Sequence, residues 1–140
     1  MLFPIYTTQT NLVSVNKMVV EHTVSASGFS VQSNSQILAA YTGVYNIQFS
    51  AQISKTGAND TIDIWLMKNN QNVDWTDTSV YIQTSSQKFV AAWNWMIPLN
   101  AGDYVEVAWN SALGTMSLLS QAASAPMPAI PSVIITVQSV

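Results

Sequence analysis

The stretch "YNIQFSAQIS", residues 45–54, alternates apolar and polar side chains almost without error. Tyr45, Ile47, Phe49, Ala51 and Ile53 share one parity; Asn46, Gln48, Ser50, Gln52 and Ser54 share the other. Side chains of a strand project to opposite faces with a period of two, so the first set predicts a surface turned to a core. The second set is the unusual one. A face turned to water commonly carries Lys, Glu or Arg, and this one carries only amides and hydroxyls.

The same scarcity of charge runs through the chain. Of its 140 residues, 8% are charged, against about 25% in an ordinary soluble domain. There is no arginine, and the lysines are Lys17, Lys55, Lys68 and Lys88. Hydrophobic residues make up 49%, which excludes the apolar-poor, highly charged composition of a disordered tail. A net charge of −3 gives a free monomer little protection against association. The composition therefore predicts that much of the polar surface is buried in a homo-oligomer or a larger lattice.

Several classes of partner are excluded on the same grounds. Four dispersed lysines cannot track a phosphate backbone, so nucleic acid is not expected. No apolar run approaches the roughly 20 residues of a helical membrane span, so no membrane partner is expected. Without cysteine there is neither a disulfide framework nor a thiolate metal site. The opening "MLFPIYTTQT" has no basic flank, and its apolar core is too short for a cleaved signal. The expectation is a cytosolic product, or one that leaves the cell without such a signal.

No window carries a sustained helical period, and β-branched and aromatic residues recur in short blocks. Strands are predicted near 17–24, 36–41, 44–54, 61–68, 79–84, 88–98, 103–110, 115–120 and 132–139. "KTGAND" (55–60), "KNNQN" (68–72) and "LNAGD" (99–103) separate them, each supplying Gly or Asn for positive φ. Phe89, Ala91, Trp93, Trp95, Ile97 and Leu99 keep one parity, and Val105, Val107 and Trp109 keep another. These two strands are expected to pair as a hairpin over one core. The three prolines of "ASAPMPAIPS" (123–132) predict an extended, unpaired segment. Residues 1–15 read as an apolar N-terminal arm and 16–140 as one all-β domain, a sandwich, jelly roll or barrel.

In order and spacing, "GVYNIQFSAQI", "IDIWLMKNNQNV", "LNAGDYVEVAW" and "PAIPSVIITVQSV" resemble the jelly-roll domains related to tumour necrosis factor and the complement globular heads. The nearest resemblance is to small virion structural proteins of tailed bacteriophages built on that fold, and it covers roughly residues 28–140. It implies a two-sheet antiparallel jelly-roll sandwich, an assembled trimer and no catalytic machinery. In such trimers one sheet of each subunit packs around the symmetry axis. An amide face can satisfy its hydrogen bonds there without the several kcal/mol that an unpaired buried charge costs. Asn46, Gln48 and Gln52, with Asn94 and Met96, are the candidate oligomer interface.

Candidate catalytic groups are few. His22 is the single histidine, and Glu21, adjacent in a strand, would point to the opposite face. Asp60 with Asp63, Asp74 with Asp77, and Asp103 with Glu106 could pair as carboxylates, but all lie in or beside turns, where acids serve as caps. With no arginine or second histidine to tune them, no enzyme activity is expected. No loop shows the dense run of oxygen ligands that calcium requires, and neither metal nor cofactor is expected. Of the five tryptophans, Trp93 and Trp95 share the core parity. Trp75, in the polar turn "NVDWTDTS", is the candidate ligand contact.

Two functional classes follow. The first is a capsid decoration or cement protein, assembled in a host cytoplasm and resident in the virion. It would clamp the major capsid protein or another virion protein through the arm residues Leu2, Phe3, Ile5 and Tyr6. The alternative is the tip of a phage fibre or appendage that binds a host surface glycan. One fold serves both.

Overall fold

The computed structural model describes residues 2–12, 14–20 and 27–140, with side chains from Pro4 onward. Glu21 and His22 lie outside the described residues, as do the side chains of Leu2 and Phe3. Thirteen strands and no helix are present among the described residues: β1 (Leu2–Ile5), β2 (Gln9–Thr10), β3 (Asn16–Lys17), β4 (Phe29–Gln32), β5 (Gln36–Ala39), β6 (Gly43–Lys55), β7 (Asp60–Lys68), β8 (Gln71–Asn72), β9 (Thr78–Ile82), β10 (Gln87–Leu99), β11 (Tyr104–Ser111), β12 (Met116–Leu118) and β13 (Val133–Ser139). They form two antiparallel sheets. In the first, β6 lies between β10 and β13, β1 flanks β13, and β12 and β2 continue the row. In the second, the order runs β4, β5, β11, β7, with β3 beside β11 and both β8 and β9 beside β7.

The core follows from the alternation. Ile47, Phe49, Ala51 and Ile53 of β6 face Ile62, Ile64 and Leu66 of β7 and Val105, Val107 and Trp109 of β11, all in one buried cluster. Phe49 meets Trp93 edge-on at 4.7 Å and stacks with Trp95 at 5.4 Å between ring centroids. Offset and edge-on contacts of this kind suit the aromatic quadrupole. In the turn after β7, Asn69 and Asn70 both take positive φ, the requirement of a two-residue type I′ hairpin, and Lys68 pairs Gln71.

Three expectations are corrected. The strands predicted near 88–98 and 103–110 do not pair. β10 belongs to the first sheet and β11 to the second, because the turn at 100–103 carries the chain across the sandwich. Gly102 at φ 91° makes that crossing, and the Asp103 carboxylate accepts from Asn100 N–H (2.8 Å) and Asn69 Nδ2 (2.9 Å). Residues 123–132 are not unpaired: Ser124 and Met127 exchange both backbone hydrogen bonds, and Gln121 bridges Ile130. Prolines at 126, 128 and 131 leave those donors free, so a small hairpin closes between them. Of the strand expected over 17–24, residues 21–24 lie outside the described residues, and among residues 17–20 only Lys17 belongs to a strand, β3.

Leu2–Ile5 pairs Val133–Thr136 as a full strand of the first sheet, and Ile5 is 0% exposed within the core. Ser132 ties down the end of that strand: its N–H donates to the Ile5 carbonyl at 2.6 Å and its Oγ at 3.2 Å. Gln9 continues the attachment, accepting from Val19 N–H at 2.8 Å. The pairing covers an edge that β13 would otherwise present unpaired. Of the predicted docking side chains that are described, Ile5 is buried and Tyr6 is 51% exposed.

Asp60 anchors the turns at one end of the sandwich. Its buried carboxylate accepts from Ser111 Oγ, Leu113 N–H (2.8 Å), Thr115 N–H (3.1 Å) and Thr115 Oγ1 (2.8 Å). Burial works against its ionisation, and these hydrogen bonds outweigh burial, holding its pKa at about 2.

Two measurements check this architecture. Deleting residues 2–8 is expected to lower the melting temperature, since it removes β1 and the Ile5 side chain from the core; an unchanged melting temperature would show that β1 is dispensable to the fold. Asp60→Asn is expected to destabilise the protein at pH 7 by about 2 kcal/mol, the scale of a hydrogen-bonded buried charge. Because the folded pKa lies below the ordinary 3.8, the stabilisation is complete above pH 3.8 and fades as pH falls through about 2. Urea midpoints of the two proteins should therefore converge in acid; a gap that persists at pH 2 would exclude the carboxylate as its source.

Candidate functional site

Two surfaces hold the candidate residues. The first is the outward face of the first sheet. Gln48 stands opposite Asn94 on β10 and Thr136 on β13, and Met96 stands opposite Asn46. Asn94 Nδ2 donates to Asn46 Oδ1 at 2.8 Å, diagonally between those two pairs. Gln52 lies further along β6, opposite Val90. The five residues predicted to form one interface thus lie on one face. Val90 and Met96 are 55% and 58% exposed there. Lys88 is the only charged residue on this face of β6, β10 and β13, and it sits at one end of β10.

β10 is also an edge strand, paired only with β6 among the described residues. Such an edge invites pairing with another chain unless charge, proline or a bulge blunts it. Here Lys88 and Pro98 guard only its ends, and Phe89–Ile97 between them carries no charge.

The second surface surrounds Trp75. This side chain is 100% exposed, at a backbone φ of 68°. A bulky residue rarely takes that conformation. The loop is nonetheless pinned on both sides of it. Val73 N–H donates to the Leu66 carbonyl at 2.9 Å, and buried Thr76 accepts from Leu66 N–H at 3.0 Å and donates to the Val73 carbonyl at 2.7 Å. Trp95 Nε1 donates to the Thr76 carbonyl at 3.0 Å. Beside Trp75 opens a cleft of about 460 Å³, lined by Trp65, Asp63, Asp74, Asp77 and Asn110 among others. The Trp65 indole is fixed by a 2.8 Å hydrogen bond from Nε1 to Asn72 Oδ1. Desolvation, and then the charge of Asp63, raises the Asp77 pKa.

The candidate carboxylate pairs are separated by their roles. Asp60 holds its turn while Asp63 accepts from Ser79 Oγ. Asp103 caps the 100–103 turn and meets Lys68 at 3.5 Å, whereas buried Glu106 meets Lys17 at 3.2 Å and accepts from Ser35. Asp74 and Asp77 do share the cleft, and Asp63 joins them, a juxtaposition the linear order hides. The parity of Asp63 and Trp65 in "DTIDIWLMK", opposite to Ile62, Ile64 and Leu66, was the available signal. Among the described residues no three His, Cys, Asp or Glu side chains come together as a metal site. A larger cleft of about 520 Å³ is lined by Thr8, Leu12 and Val15 among others.

No protein-family model matches the sequence, and no curated protein matches it either. Solved structures do match. The globular domain of zebrafish complement 1qA superposes with a TM-score of 0.62 at 10% identity, covering 99% of this chain and 94% of that one. Murine APRIL superposes with a TM-score of 0.60 at 12% identity, covering 98% and 94%. Identities this low show shared fold and leave function open. By fold, the chain is an all-β, two-sheet antiparallel jelly roll of the kind seen in tumour necrosis factor-like and complement globular-head domains.

Proposed function

We propose that this protein is a non-enzymatic virion structural protein that assembles as a homotrimer and decorates or cements a capsid against neighbouring shell subunits. The observation that carries the reading is the uncharged outward face of β6, β10 and β13 beside the unguarded edge of β10. Amides and short apolar side chains there can be desolvated with their hydrogen bonds satisfied, as the Asn94–Asn46 pair illustrates. The wider lack of charge fits a surface that meets other protein copies more than bulk water. The resemblance of the jelly-roll motifs to phage virion proteins supports the location. With β1 part of the sheet, contact with the shell falls to the domain surface in place of a free arm.

Light scattering coupled to gel filtration tests the assembly. The native chain is expected at three times its monomer mass. Gln48→Lys places an ammonium at the centre of the face, and an unpaired buried charge costs about 3 kcal/mol or more, enough to shift the variant toward monomer. Gln48 is exposed in the single subunit, so the variant should fold with an unaltered circular dichroism spectrum. A monomeric native chain, or a variant of unchanged mass and melting temperature, overturns the interface. Immuno-electron microscopy of purified particles tests the location. Regular labelling over the shell is expected, and label confined to an appendage overturns the capsid assignment.

A further inference from the structure

We infer that the cleft between Trp65 and Trp75 is a binding site for a neutral saccharide ring. Trp75 holds a whole indole in water, with no hydrogen bond or ring contact among the described residues. It does so on a loop that hydrogen bonds fix two residues before it, at Val73, and one after it, at Thr76. An apolar plate held rigid and bare loses little conformational freedom on meeting a ligand. Trp65 supplies a second, half-buried indole in the same cleft, oriented by Asn72. The two rings are not stacked on each other, so neither fills the space the other could offer.

The polar groups define the ligand. Asp63, Asp74 and Asp77 line the cleft with no lysine among its walls, so the cleft is rich in acceptors and carries uncompensated negative charge. A ligand suited to it presents an apolar face to indole and several hydroxyl donors to carboxylates. A pyranose ring combines both within a cleft of about 460 Å³. The same carboxylates repel acidic sugars and phosphates. A simple organic cation is drawn by the same carboxylates but finds no aromatic cage. Its attraction to an aromatic face grows large only when desolvated, and a fully exposed Trp75 cannot enclose it. A protein partner would need on the order of 800 Å² from each side, more than this cleft presents.

One competitor is built into the fold. On its other side Trp75 borders a hollow lined by Trp95, Met96 and Pro98, next to the β10 edge used in the proposed assembly. The experiment must therefore separate sugar binding from oligomer contact.

The test uses the full chain on immobilised neutral oligosaccharides of glucose, galactose, mannose and N-acetylglucosamine, with sialylated counterparts and choline chloride as competitor. Binding to at least one neutral oligosaccharide is expected. Trp75→Ala should weaken it by about tenfold or more, the scale on which a tryptophan anchor acts, with oligomer mass and melting temperature unchanged. Trp75→Phe should retain most of it. The inference is overturned by binding to no neutral sugar, by preference for the sialylated forms, or by displacement with choline. It is equally overturned if Trp75→Ala leaves sugar binding intact or lowers the oligomer mass. A monomeric native protein that still binds through Trp75 would sink the assembly proposal and leave this one standing.

Discussion

The fold depends on the pairing of β6 along both of its edges. β10 matches it residue for residue from Gly43 to Lys55, while β13 and β12 divide the opposite edge. A central strand so bound cannot slip by one position without turning Ile47, Phe49 and Ile53 out of the core and Asn46, Gln48 and Gln52 into it. Register and burial thus enforce each other. Everything that packs on the inner face, from the Phe49–Trp95 stack to the Ile62, Ile64 and Leu66 row of the second sheet, takes its position from this alternation.

That alternation is also why so much was legible beforehand. The strands expected at 44–54, 61–68, 88–98, 103–110 and 132–139 appear within a residue or two of their positions, because long period-two runs leave little alternative. The turn at Asn69–Asn70 was legible because few residues tolerate positive φ. What escaped was non-local. β1, β2, β4 and β8 are two to four residues long and exist through the partners they join. The expected hairpin of 88–98 with 103–110 has the right parities, but the intervening turn changes sheets. The cleft escaped for a similar reason. Asn110 reaches Asp63 by strand pairing, and Asp77 arrives from a loop. The ion pair of Lys17 with buried Glu106 likewise joins residues far apart in sequence.

The two sheets differ in chemistry as well as in position. Every described carboxylate side chain belongs to the second sheet or its loops: Asp60, Asp63, Asp74, Asp77, Asp103 and Glu106. Of these, Asp60, Asp103 and Glu106 are engaged with hydroxyls, amides or lysines that hold turns and strands in place. Asp74 and Asp77 stand at the cleft. The first sheet keeps its outward face nearly free of ionisable groups. A division of this kind lets one surface be desolvated at low electrostatic cost while another stays polar and hydrated. Trp75 sits near the seam between them, bordered on one side by the cleft and on the other by the β10 edge.

The pairing of β1 with β13 joins the two ends of the jelly roll, Leu2 lying opposite Thr136. Contacts between segments so distant in sequence carry a loop-closure entropy that must be met before they return any stability. During synthesis β1 has no partner until the final strand has left the ribosome. The first sheet therefore cannot be completed vectorially, strand after strand, and its closure is a late event. Until then Ile5 and the inner face of β6 remain incompletely covered. A nascent chain in that state has charge to keep it apart from its neighbours, and charge is the resource this sequence has least of.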